Sequence, residues 1–147
     1  MEHENRVGRL MSAQAVRAFM MAGNATLTLK SERTGNRFTY RVNESEDGRV
    51  AFVSLMAGTD NEADFQYLGF IRDGLYVHGV KSRIEETAPS ASAFSWFHAH
   101  LQARRLPEAL QVWHEGRCGR CGRKLTVPES VERGFGPECA ELIGEAV

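Results

Sequence analysis

The sequence predicts an α+β protein, an antiparallel five-stranded sheet covered by helices over residues 1–106, followed over 107–147 by a small treble-clef-like zinc module. Three observations predict it. Apolar residues alternate with polar ones in runs between Ala25 and Val80, broken by turn-forming stretches. Helical periodicity brackets those runs on both sides. The last thirty-four residues carry all three cysteines, in the spacing of a metal knuckle.

After a polar, acidic start, Ser12–Ala22 reads as a short helix. Val16, Phe19 and Met20 recur at helical spacing, Ser12 can cap the start, and Gly23 closes the end. Two strands follow. Ala25, Leu27 and Leu29 oppose Thr26, Thr28 and Lys30 in the first, and Phe38, Tyr40 and Val42 oppose Arg37, Thr39 and Arg41 in the second. Ser31–Asn36 joins them, giving a hairpin with one buried and one solvated face. Val50–Ala57 is nearly continuously apolar and is expected at the sheet's centre. Phe65–Ile71 follows the acidic turn Asp60–Asp64, which lacks the glycine and distal glutamate of an EF-hand loop. Leu75–Val80 follows Arg72-Asp73-Gly74, a tight hairpin signal. Lys81–Ser90 is a polar connector, and Ser92–Arg105 is an amphipathic helix whose Phe94, Phe97 and Leu101 should cover the sheet. Ala109–Trp113 is a short strand feeding the cysteine segment.

Composition narrows the class. At 147 residues, 42% hydrophobic and 25% charged, the chain is ordinary for one core with a small appendage. A net charge of −1 confines any nucleic-acid argument to local patches. No apolar run is long enough to span a bilayer, and the N-terminus lacks a signal-peptide core, so a cytoplasmic location without membrane partners is the expectation. Thiols stay reduced in that compartment, which argues against a disulfide framework.

Cys118-Gly119-Arg120-Cys121-Gly122 has the form of a zinc knuckle. Two thiolates two residues apart can converge on one tetrahedral ion when the turn is tight, and the glycines permit close approach and positive φ. Cys139 follows with seventeen residues between, just after Pro137, which suits the first position of a helix over Pro137–Ile143. The expected ligands of one structural Zn2+ are Cys118, Cys121 and Cys139, with His114 as the fourth. Glu138, Glu141 and His78 compete for that last position. A segment this short, with a core of Leu125, Val127, Val131, Phe135 and Leu142, cannot bury enough apolar area alone. Zinc supplies on the order of 10–16 kcal/mol of apparent folding free energy in small fingers. The rival chemistry is redox, but thioredoxin-like pairs sit at a helix N-terminus inside a βαβ unit, and none surrounds this one.

The stretch from Cys118 to Cys139, with Cys-Gly-Arg-Cys-Gly-Arg-Lys-Leu-Thr and Gly-Phe-Gly-Pro-Glu-Cys at its ends, resembles a pattern in small uncharacterised proteins of bacteria, actinobacteria especially, and their phages. Ala22–Leu29 and Thr34–Tyr40 also look like the longer members. The resemblance implies a C-terminal zinc site and a phage or mobile-element association, and it implies no activity.

Arg117, Arg120, Arg123 and Lys124 cluster around the knuckle. They read either as phosphate contacts or as local balance for three thiolates on one Zn2+, whose charges sum to about −1. The polar face of the first hairpin (Thr28, Lys30, Arg37, Thr39 and Arg41) is a second basic surface, but its Phe38 and Tyr40 point to the core, so the stacking platform expected of single-strand binders is missing and the face reads as solvated. His98 and His100, two residues apart on one helix, point to different sides. No Ser-His-Asp order, Walker loop or Gly-x-Gly-x-x-Gly run is present. The expected function is that of a non-enzymatic, zinc-binding accessory protein that binds nucleic acid through the four cations. The alternative is a phage-associated factor that binds a host protein.

Overall fold

The computed structural model describes residues 8–58, 64–126 and 128–144. Residues 60–63 of the expected turn Asp60–Asp64 and the expected core residue Val127 lie outside the described residues. Among the described residues, seven strands form one antiparallel sheet: β1 (Arg9–Leu10), β2 (Asn24–Ser31), β3 (Arg37–Glu44), β4 (Val50–Met56), β5 (Phe65–Arg72), β6 (Leu75–His78) and β7 (Leu110–His114). Four described helices accompany them: α1 (Ala13–Met20), α2 (Pro89–Gln102), α3 (Pro128–Arg133) and α4 (Pro137–Gly144). The sheet order is β1-β7-β2-β3-β4-β5-β6.

The five-stranded expectation is therefore corrected to seven. The five expected strands are the meander β2–β6, joined in chain order. The two additions come from opposite ends of the chain. β7, assigned from sequence to the C-terminal segment, pairs with β2 through Leu27↔His114 to Ser31↔Leu110, and β1 then pairs outside it through Arg9↔Trp113. Hydrogen-bonded neighbours across such a separation leave no mark on local periodicity.

Local chemistry accounts for the boundaries. Ser12 Oγ accepts the N–H of Ala15 at 3.1 Å and opens α1. Asp73 (φ 53) and Gly74 (φ 78) give the β5–β6 turn two successive left-handed residues, matching the twist of a two-residue hairpin. Pro89 occupies the first turn of α2, so that helix begins before the expected Ser92.

All the helical packing on the sheet falls on one face. Val16, Phe19 and Met20 of α1 and Phe94, Phe97 and Leu101 of α2 are buried against Leu27, Tyr40, Val42, Val53 and Ile71. Phe94 lies between Tyr40 (ring centroids 4.9 Å) and Tyr76 (5.0 Å), and the Tyr40 hydroxyl donates to the Ser90 carbonyl at 2.7 Å. Each large apolar side chain so buried contributes about 1.5–3 kcal/mol. The opposite face carries no helix among the described residues.

On that open face the register sets Thr26, Thr28 and Lys30 beside Arg41, Thr39 and Arg37, and then Ser54 and Phe52 beside Tyr67 and Phe70. The expected polar hairpin face is present. The aromatic residues that the first hairpin lacks arrive from β4 and β5. β4 alternates despite its apolar composition: Ala51, Val53 and Leu55 are buried, while Phe52 is 44% exposed.

Candidate metal centre

β7 ends at His114, and the chain turns through Gly116 into a minimal hairpin. Arg117 and Lys124 form an isolated antiparallel bridge, the Cys118 N–H donates to the Arg123 carbonyl at 2.9 Å, and the Gly122 N–H donates to the Cys118 carbonyl at 2.8 Å. Gly122 makes the turn possible with φ 79, a value costly for residues with a Cβ. Cys118 and Cys121 sit on this hairpin, and Cys139 sits in the first turn of α4, two residues after Pro137. The ligand sulfurs of Cys118, Cys121 and Cys139 all lie within 4.8 Å of one another. Cys118 and Cys139 are buried and Cys121 is exposed. Three thiols converging this closely could hold a metal ion.

The surroundings favour the charged form of the first thiol. Burial pushes the Cys118 thiol up, but N–H groups of Cys121, Gly136 and Arg120 directed at the sulfur outweigh it and bring the pKa down to about 7. The Arg120 N–H lies 3.4 Å from Cys118 Sγ, and the Arg120 guanidinium lies 3.5 Å from Cys139 Sγ. Burial and the neighbouring sulfurs hold the Cys139 thiol above its ordinary value. A cation at the centre would relieve that repulsion.

His114 is not among the residues brought to the sulfurs. Its ring is engaged on both sides: Nδ1 accepts the Gly116 N–H at 2.9 Å, and Nε2 hydrogen-bonds the Val131 carbonyl. The first bond requires a bare Nδ1, so the hydrogen is on Nε2. Burial lowers the His114 pKa, only partly opposed by the Val131 bond and by Glu115, which keeps the ring neutral. Here the imidazole fastens β7, the entry to the hairpin and α3 to one another. Glu138 and Glu141 line a groove of about 570 Å3 with Cys121 and Cys139, but they too stand outside the close cluster. The His78 ring faces the Ile84 carbonyl at 2.8 Å instead.

The centre is welded to the sheet through its backbone and one ring. The Asn24 N–H donates to the Gly119 carbonyl at 2.8 Å, and the Gly119 N–H donates to the Gly134 carbonyl at 2.9 Å. Phe19 from α1 inserts between them, with ring centroids 5.5 Å from His114 and 5.9 Å from Phe135. Cys118, Leu125, Phe135 and Cys139 accordingly belong to the same buried cluster as the sheet core.

The four expected nucleic-acid contacts are all exposed, and they divide between two sides of the hairpin. Arg120, Arg123 and Lys124 line the groove that Cys121 and Cys139 border. Arg117 lines a second groove of about 490 Å3, with Thr26, Arg41 and Asn43 of the open sheet face. A cleft of about 720 Å3 lies away from the thiols, and its Glu44, Asp73, Arg49 and Arg72 mix both signs of charge.

Fold and site together define a mixed α+β protein built on an antiparallel sheet, with a three-cysteine cluster near the C-terminus that could hold a metal ion. Residues 110–144 match a family of unknown function (DUF6011), so the match begins at β7 and covers the whole centre. No curated protein and no solved structure matches the chain. No described helix is long and apolar enough to cross a membrane.

Proposed function

We propose that this chain is a non-enzymatic accessory protein in which one structural zinc ion, held by Cys118, Cys121 and Cys139, fixes a treble-clef-like module that binds nucleic acid. Zn–S bonds of about 2.3 Å in a tetrahedron need sulfurs about 3.8 Å apart, and the three sulfurs, all within 4.8 Å of one another, would have to close in only slightly around such an ion. The fourth ligand comes from Glu138, Glu141 or solvent at the adjoining groove, because both nitrogens of His114 are committed elsewhere. Three thiolates donate enough charge to leave the ion a weak Lewis acid, which suits a structural role.

The observation that carries the binding reading is the placement of the cations. Arg117, Arg120, Arg123 and Lys124 are exposed on both flanks of a rigid hairpin, where phosphate groups can reach them. Native mass spectrometry should find one zinc per chain, lost on denaturation. Reversing charge at Arg120, Arg123 and Lys124 should weaken DNA or RNA binding and flatten its salt dependence with the zinc retained. A chain without metal, or one that binds no nucleic acid at low salt, refutes the corresponding half of the proposal.

A second reading, a protein-interaction factor, draws support from the apolar edge of the sheet, while its phage or mobile-element association rests on the sequence resemblance alone. Leu75 and Val77 of β6 are 61% and 45% exposed. A pull-down in which substitutions at those two positions remove a specific partner would decide for it.

A further inference from the structure

We infer that the open face of the sheet is a docking platform for single-stranded nucleic acid, continuous with the knuckle. The inference rests on the nucleic-acid reading above and specifies its strand class and site.

Charge comes first. Lys30, Arg37 and Arg41 lie on this face in β2 and β3, Arg9 lies on it in β1 with its Nε buried, and Arg117 borders it. Its described acidic neighbours include Glu32, which accepts from Gln111 at 2.7 Å, Glu115, which accepts from the Thr28 hydroxyl, and Asp64, which precedes Phe65. Those carboxylates keep their charge, but the five cations outnumber the three acids, so a net positive field lies along β2 and β3, the complement of a phosphate chain.

Stacking surface lies beside it. Phe52 of β4 is 44% exposed and meets Tyr67 of β5 edge to face at 6.4 Å, while Phe70 is half-buried next to them. The two halves are joined where the Arg41 guanidinium lies 3.9 Å over the Phe65 ring. β3 and β5 stand two strand spacings apart, about 10 Å, the scale of one nucleotide from phosphate to base edge. A backbone running along β3 can thus lay its bases on β4 and β5. Only unpaired bases expose their faces for this, since a duplex keeps them stacked internally. The Arg117 groove, shared with Arg41 and Asn43, carries the same strand onward to the hairpin.

The test uses the full-length, metal-loaded protein and labelled homopolymers of about 12 nucleotides, DNA and RNA, beside a duplex of the same length. Fluorescence anisotropy should show single strands bound at least about ten-fold tighter than duplex. Phe52→Ala should weaken single-strand binding by about ten-fold with an unchanged melting temperature. Arg37→Ala should reduce the salt slope by about 0.7. In a Trp96→Phe variant, the remaining Trp113 on this face should be quenched by the oligonucleotide. The DNA and RNA arms identify the sugar. Duplex binding equal to single-strand binding and indifferent to Phe52→Ala would overturn the platform while leaving the knuckle reading intact. Absence of binding to every probe would overturn both. Concentration-dependent dimerisation that Phe52→Ala abolishes would make the face an interface between copies and overturn the platform.

Discussion

Gly119→Ala should destabilise the whole protein by about 2 kcal/mol. A Cβ at this position would lie 2.6 Å from Phe19 Cδ1, 2.8 Å from Cε1 and 3.0 Å from the Phe19 carbonyl oxygen. Carbon atoms prefer about 3.5–4.0 Å, so the overlap is roughly 1 Å. Phe19 cannot swing away: it is fully buried and flanked by the His114 and Phe135 rings. Gly119 itself is not in the left-handed region, so the cost is one of packing, and overpacking of this kind costs about 1–3 kcal/mol. In a protein of this size that lowers the melting temperature by about 4–8 °C. Thermal unfolding followed by circular dichroism on the metal-loaded protein measures it. Gly136→Ala is the control, because a Cβ there meets nothing within 4 Å and should shift stability by less than about 0.5 kcal/mol. If Gly119→Ala lowered only the affinity for metal and left the sheet's unfolding midpoint where it was, the docking of the hairpin on α1 would be refuted.

His114→Ala should keep one metal per chain yet lose about 1–3 kcal/mol, since it strips partners from the Gly116 N–H and the Val131 carbonyl; metal content and denaturant titration check both halves, and loss of the metal would make His114 a ligand after all. His98 is buried against Phe94 and Tyr76, and burial, with Arg17 assisting, lowers its pKa. Below the unfolded-state value of about 6.5 the unfolded chain binds the proton more readily. Stability contributed by the neutral ring is therefore complete above that value and is lost as pH falls through the folded one. The difference in stability between pH 7 and pH 5 should shrink in His98→Gln, and an unchanged difference would count against this account.

Where an element declares itself locally, the sequence was enough. The capping serine and three apolar positions of α1, the alternation of β2 and β3, and the Asp-Gly turn between β5 and β6 all emerge close to where their residues put them. The cysteine cluster was legible for the same reason, because spacing and glycines encode a turn. Sheet membership was not: nothing in Leu110–His114 announces β2 as its neighbour, and a two-residue strand such as Arg9–Leu10 has no period. His114 was a reasonable ligand by position, but its two nitrogens are claimed by Val131 and Gly116, groups whose nearness only the fold creates. The aromatic row on the open face, with Phe52 exposed and its β5 neighbours half-buried, was hidden by composition. Val50–Ala57 read as an apolar block, although counting every second residue would have set Phe52 apart from Ala51, Val53 and Leu55.

The strand order also governs the life of the chain during synthesis. The edge of β2 that β7 covers is complete once Ser31 has been made, but its cover arrives only with His114. At about 5–20 residues per second, that edge stands unpaired for about 4–17 s on the ribosome. Lys30, a charge near the end of this strand, is the kind of residue that deters a foreign strand from pairing there in the interval. A message truncated before β7 would leave β2 permanently uncovered, and its product should aggregate even though the β2–β6 meander is entire. The stretch from β7 to Cys139 is thus the closing piece of the sheet as well as the home of the thiols, and the nascent protein acquires both within about thirty residues of synthesis.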